Sequence, residues 1–120
     1  PFAAIDEIHQ RLDHLPLPLS LTVLGLGEDG HIASLFPGMN PDLLSTHHCV
    51  VVAPPIAPSL RISLSLKMLV ESEHIALVVT GKSKRRLLDQ LNEYPDPKLP
   101  ILWLLQRAHV SITVFEVDGI

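Results

Sequence analysis

The sequence predicts an α/β protein built on a largely parallel sheet with helices over both faces. Short runs of Val, Leu and Ile alternate with amphipathic stretches of helical period, the pattern of strands joined by crossover helices. Two of the runs, Leu21–Gly25 and Ile75–Gly81, end directly in glycine. The chain has 120 residues, 47% hydrophobic but only 4% aromatic, so the expected core is single, moderate in size and aliphatic.

Ala3 to Leu15 carries Ile5, Ile8, Leu12 and Leu15 at helical spacing, with Asp6, Glu7, Gln10, Arg11 and Asp13 on the other face. Pro16-Leu17-Pro18 stops this helix and starts an extended run. Ser20 to Leu26 reads as a buried strand entering a glycine-rich turn, and His48 to Ala53 as a second strand closed by Pro54-Pro55. Arg61-Ile62-Ser63-Leu64 is ambiguous, and either Ser63 or Ser65 can cap a helix running to about Ser72. Ile75 to Gly81 is the clearest strand. Ser83 is placed to cap a helix from Lys84 to Glu93, ended by Tyr94-Pro95-Asp96-Pro97. Ile101–Leu105 and Ser111–Val117 read as two further strands.

The composition also narrows function. The formal charge of −4 argues against nonspecific nucleic-acid binding. No apolar run is long enough to span a bilayer, and no signal peptide opens the chain, so no membrane partner is expected. A lone cysteine, Cys49, excludes an internal disulfide and fits a reducing cytoplasm. The seven histidines show no metal-ligand spacing, and neither a metal nor a cofactor is expected. Through Leu60 the sole Lys or Arg is Arg11, against six acids; four of the remaining eight cations lie between Lys82 and Arg86. Such a cluster is either a solvated helix face or an anion site.

Gly25-Leu26-Gly27-Glu28-Asp29-Gly30 formally matches the dinucleotide fingerprint. Pro37-Gly38 ends any following helix within about two turns, whereas the fingerprint must open a long one. The next strand, ending Val51-Val52-Ala53-Pro54, also lacks the ribose-binding acid. The dinucleotide reading is therefore set aside.

The stretch from Gly25 to Gly38 instead resembles the signature loop of the 6-phosphogluconolactonases, G-x-G-x-D-G-H-x-A-S-L-F-P-G. Gly25, Gly27, Asp29, Gly30, His31, Ala33, Ser34, Leu35, Phe36, Pro37 and Gly38 all stand at the matching places. The related glucosamine-6-phosphate deaminases share the first half but continue Phe-Asn-Glu-Pro, where this chain has Ser34-Leu35-Phe36-Pro37. Pro54-Pro55 with Arg61-Ile62-Ser63-Leu64, the strand and G-x-x-K of Ile75–Lys84, and Leu99-Pro100 resemble further family elements. The resemblance runs from about Leu19 to Val117.

It implies a Rossmann-like fold of the sugar-phosphate isomerase type, incomplete as given. The family is roughly twice this length, and its Ser-Gly-Gly-x-Thr-Pro-like phosphate loop has no counterpart here. Residues 1–120 are thus expected to form the C-terminal portion of one lactonase-like α/β domain, with self-association through an exposed sheet edge as a further expectation.

The implied reaction is hydrolysis of 6-phospho-D-glucono-1,5-lactone, a step of the pentose phosphate pathway. His31 is the expected general base, since an ordinary imidazole titrates near neutrality, and Asp29 its tautomer-fixing partner. Gly25, Gly27 and Gly30 are expected to permit close backbone approach and positive φ, and to offer N–H groups to the lactone oxyanion. An Asp29–His31–Ser34 triad is discounted, because the nucleophile-elbow sequence is missing and Ser34 is expected to bond backbone within a short helix. By resemblance to the wider superfamily, Arg61 and Lys84 bind the substrate's phosphate. The competing readings are a hexosamine-phosphate deaminase or isomerase, and a catalytically silent sugar-phosphate-binding domain.

Overall fold

The computed structural model describes residues 2–55 and 59–118. Its centre is a three-stranded parallel sheet of β1 (Thr22–Gly25), β4 (Ile75–Thr80) and β5 (Ile112–Val117), in the order β1-β4-β5. Thr22 pairs with Ile75 and Ile75 with Ile112, so the three strands start level and run the same way. β2 (Cys49–Val52) and β3 (Arg61–Leu64) form a separate antiparallel ribbon, which settles Arg61–Leu64 as a strand. α1 (Ile5–Asp13) lies against β2, where the His9 imidazole meets the buried Cys49 sulfur at 3.7 Å. No helix among the described residues is long and apolar enough to cross a membrane.

The core sits on one side of the parallel sheet. Leu24, Ile75, Leu77 and Val79 point into it and meet residues of α2 (Leu66–Val70), α3 (Lys82–Glu93) and α4 (Pro100–Arg107). Leu66, Leu69, Leu77, Ile101 and Leu104 are fully buried there, beside Ile32 and Leu35 of the glycine-rich loop. The opposite side of the sheet is open: Leu21, Val23 and Phe115 are 59%, 60% and 52% exposed. The expected parallel sheet is present, and among the described residues helices cover only one of its faces.

Four local expectations change. Residues Ile101–Leu105 belong to helix α4, not to a strand. Their continuous apolar run has no period that separates the two, and the helix is buried along its first five residues. Pro100 marks its start, in the first turn where a missing N–H costs nothing. Helix α3 begins at Lys82 with Gly81 as its cap at φ 87°, two residues before the expected start at Lys84, so Ser83 lies inside its first turn. No helix forms between the glycine turn and Pro37; residues 32–35 close a tight turn instead, with Ile32 and Leu35 bridged. Ser34 accordingly makes no helical bond. Ser65, one of the two expected caps, does cap α2, accepting from the Met68 N–H at 3.3 Å.

Candidate active site

The loop after β1 carries the candidate chemistry, and it is held from several sides. Inside it, the Gly27 N–H donates to the His31 carbonyl at 2.9 Å and the Gly30 N–H to the Gly27 carbonyl at 3.0 Å. From the first turn of α4 the Ile101 N–H donates to the Gly30 carbonyl, and just before that helix the Lys98 carbonyl accepts the Gly38 N–H, both at 3.1 Å. Buried Ile32, Leu35 and Phe36 anchor the loop in the core. A loop this tightly bonded is a rigid platform for a side chain.

Asp29 Oδ1 lies 2.6 Å from His31 Nδ1 and also accepts the His31 backbone N–H at 3.1 Å. Burial alone would raise the Asp29 pKa, but the hydrogen bonds from the His31 ring and backbone, with the ring's charge, hold the carboxyl below its ordinary range. An ionised carboxylate only accepts, so Nδ1 carries the proton of the pair. In neutral His31 the Nε2 lone pair is then left for a substrate or a water. The ring also packs on Phe36, with centroids 4.9 Å apart.

Gly27 makes this pose possible. A Cβ built there would overlap the imidazole and come within 2.9 Å of Asp29 Oδ1. Of the three glycines expected to adopt positive φ, only Gly30 does, at 89°, and a Cβ on it would press on Leu99 at 3.2 Å. Gly25 has open space where its Cβ would be. The N–H groups of Gly27 and Gly30 donate to carbonyls inside the loop.

Gly25, Gly27, His31, Ala33 and Lys84 line one shallow cleft of about 390 Å³. Lys84 enters from the first turn of α3, where the helix dipole also favours anions, and its ammonium contacts Thr80 Oγ1 at 3.3 Å. The loop and α3 touch again where the Ser83 hydroxyl donates to Glu28 Oε1 at 3.3 Å. Arg61 is exposed at the start of β3 and is not part of the cleft wall. It shares a strand face with Ser63, whose hydroxyl accepts the Ser34 N–H at 3.1 Å. The contacts of Phe36, Ser63 and Glu28 were not expected from sequence. Only Ser63 carried a signal, as a polar residue between apolar neighbours.

The family described as Glucosamine-6-phosphate isomerases/6-phosphogluconolactonase matches residues 1–114. The 6-phosphogluconolactonase of Caulobacter vibrioides is 41% identical over 105 residues, covering 81% of this chain and 44% of its own length. That of Pseudomonas aeruginosa is 35% identical over 121 residues, covering 93% and 51%. The crystal structure of a 6-phosphogluconolactonase from Shewanella baltica superimposes with a TM-score of 0.85 at 30% identity, over 98% of this chain and 52% of that one. A monomeric glucosamine-6-phosphate deaminase shares the fold, with a TM-score of 0.73 at 22% identity. The chain spans about half the length of the curated relatives it matches. With its signature loop and parallel sheet in place, it belongs to the family of glucosamine-6-phosphate isomerases and 6-phosphogluconolactonases.

Proposed function

We propose that this chain carries the catalytic loop of an enzyme that hydrolyses 6-phospho-D-glucono-1,5-lactone to 6-phosphogluconate, in the cytoplasm. The observation that carries the reading is the 2.6 Å Asp29–His31 pair, set in a cleft that also holds Lys84. The relatives' names agree with it.

In this scheme His31 Nε2 takes a proton from water as the water oxygen bonds to C1 of the lactone. The tetrahedral intermediate then collapses, breaking the bond from C1 to the ring oxygen. The imidazolium returns its proton to that departing oxygen, leaving a carboxylic acid and a free hydroxyl. Asp29 holds the ring's tautomer and supports its transient positive charge. Lys84 and Arg61 draw in the phosphate, with Arg61 able to grip two oxygens at once. Binding energy taken at the phosphate then orients the lactone against His31.

In the full-length protein, His31→Ala should lower kcat about 10²- to 10⁴-fold, the usual worth of a general base. The lactone opens spontaneously, so that background is subtracted. A variant within about threefold of wild type removes His31 from the mechanism. Ammonia release from glucosamine 6-phosphate would place the protein in the deaminase branch instead.

A further inference from the structure

Residues 32–35 form a turn in which the Leu35 N–H donates to the Ile32 carbonyl at 2.9 Å. Its first central residue is Ala33, at φ 49°. That left-handed conformation is where glycine is the usual residue, because a Cβ there crowds the following carbonyl. Alanine stays in it only when its surroundings hold it. The next residue supplies the hold: the Ser34 N–H, which the turn itself leaves without a partner, donates to Ser63 Oγ at 3.1 Å. Ser63 is 5% exposed, and its own proton goes to the Leu64 carbonyl at 2.9 Å. Its oxygen is therefore free to accept, in a buried place where an unmet N–H is costly.

We infer that Ser63 is a positioning residue for His31: by accepting the Ser34 N–H it holds Ala33 left-handed, and so fixes the loop that carries the imidazole. His31 directly precedes this turn, and its carbonyl is already tied to Gly27. Release of the turn frees the Ile32 side of His31 and leaves the ring to the Asp29 carboxylate and to the Gly27 and Gly30 side of the loop. The same residue links the loop to the strand bearing Arg61, two positions away on the same face. The inference rests on the reading of His31 as the base.

The test uses the full-length protein and two readouts: lactone hydrolysis, and amide hydrogen exchange over residues 32–35. Ser63→Ala should lower kcat about tenfold, the worth of one hydrogen bond, with KM within about twofold. It should also speed exchange at Ser34 while the β2–β3 ribbon stays protected. Adding Ala33→Gly should recover about threefold of the lost kcat, because glycine accepts positive φ without the clamp. If Ser63→Ala fails to fold, Ser63→Cys keeps the volume with a weaker acceptor and should lose kcat by about threefold or more. Full kcat in Ser63→Ala with unchanged exchange at Ser34 overturns the inference. So does a loss that Ala33→Gly leaves untouched, since Ser63 would then support β3 alone. If wild type itself does not open the lactone, or His31→Ala is fully active, the functional reading fails. Exchange at residues 32–35 still decides whether the clamp exists.

Discussion

Among single residues, the Asp29–His31 pair decides most. Its partners lie two apart in sequence, so nothing but the local turn has to be right for them to meet. That explains why both were legible from sequence, while the glycines were only partly so. Gly27 is required because an imidazole lies over it, which no sequence rule states. Asp29→Asn would present an amide N–H to Nδ1 and favour the wrong tautomer; we expect kcat to fall about 10- to 10²-fold, less than for a fully buried pair. The linkage to stability follows from the direction of the Asp29 shift. A carboxyl held below its unfolded value of about 3.9 stabilises the fold above that pH, and the gain is lost as pH falls through the folded value. The carboxylate is half exposed, so the gain is small. The Tm difference between wild type and Asp29→Asn should therefore narrow as the pH drops below about 4, measured by thermal melts across an acid series. A gap that widened in acid would contradict the assigned shift.

At the level of elements, legibility followed periodicity. α3 was readable from its one apolar stripe, and β4 from its short length, its β-branched residues and the glycine that ends it. Ile101–Leu105 was not, since a helix whose first five residues are all buried looks like a buried strand until Pro100 is taken as its start. The turn at residues 32–35 escaped as well, because an alanine gives no hint of positive φ. Lys84 and Arg61 come from different elements, α3 and β3, and the structure brings only Lys84 to the His31 cleft. Lys84→Ala and Arg61→Ala should each raise KM more than they lower kcat, and each should do less harm on a lactone lacking the phosphate. Steady-state kinetics on both substrates check this. Equal damage with and without the phosphate would make either residue structural.

For the molecule as a whole, the open sheet face sets the behaviour. Val23, Val78 and Phe115 line an apolar hollow of about 690 Å³ across all three strands, a surface that soluble monomers rarely leave bare. Both sheet edges, β1 and β5, are also unpaired on their outer sides among the described residues. This 120-residue chain on its own should therefore self-associate with rising concentration, and Val23→Lys with Phe115→Lys should suppress it. Sedimentation over a concentration series reports the outcome, and a strict monomer throughout would show that the face is tolerated by solvent. The sequence hid this exposure, since Val23 and Leu24 are equally apolar and only the fold assigns one to each side.

The loop's outside supports also set an order in time. The candidate base directly follows β1, and the partners that fix it all come later in the chain. β1 waits for β4, the Ser34 amide waits for β3, and the Gly30 carbonyl waits for the first turn of α4. Contacts so far apart along the chain close slowly, because long loops must be ordered before any bond rewards them. A loop made before its supports is thus among the last parts to be set, and refolding protein should regain its compact shape before its activity.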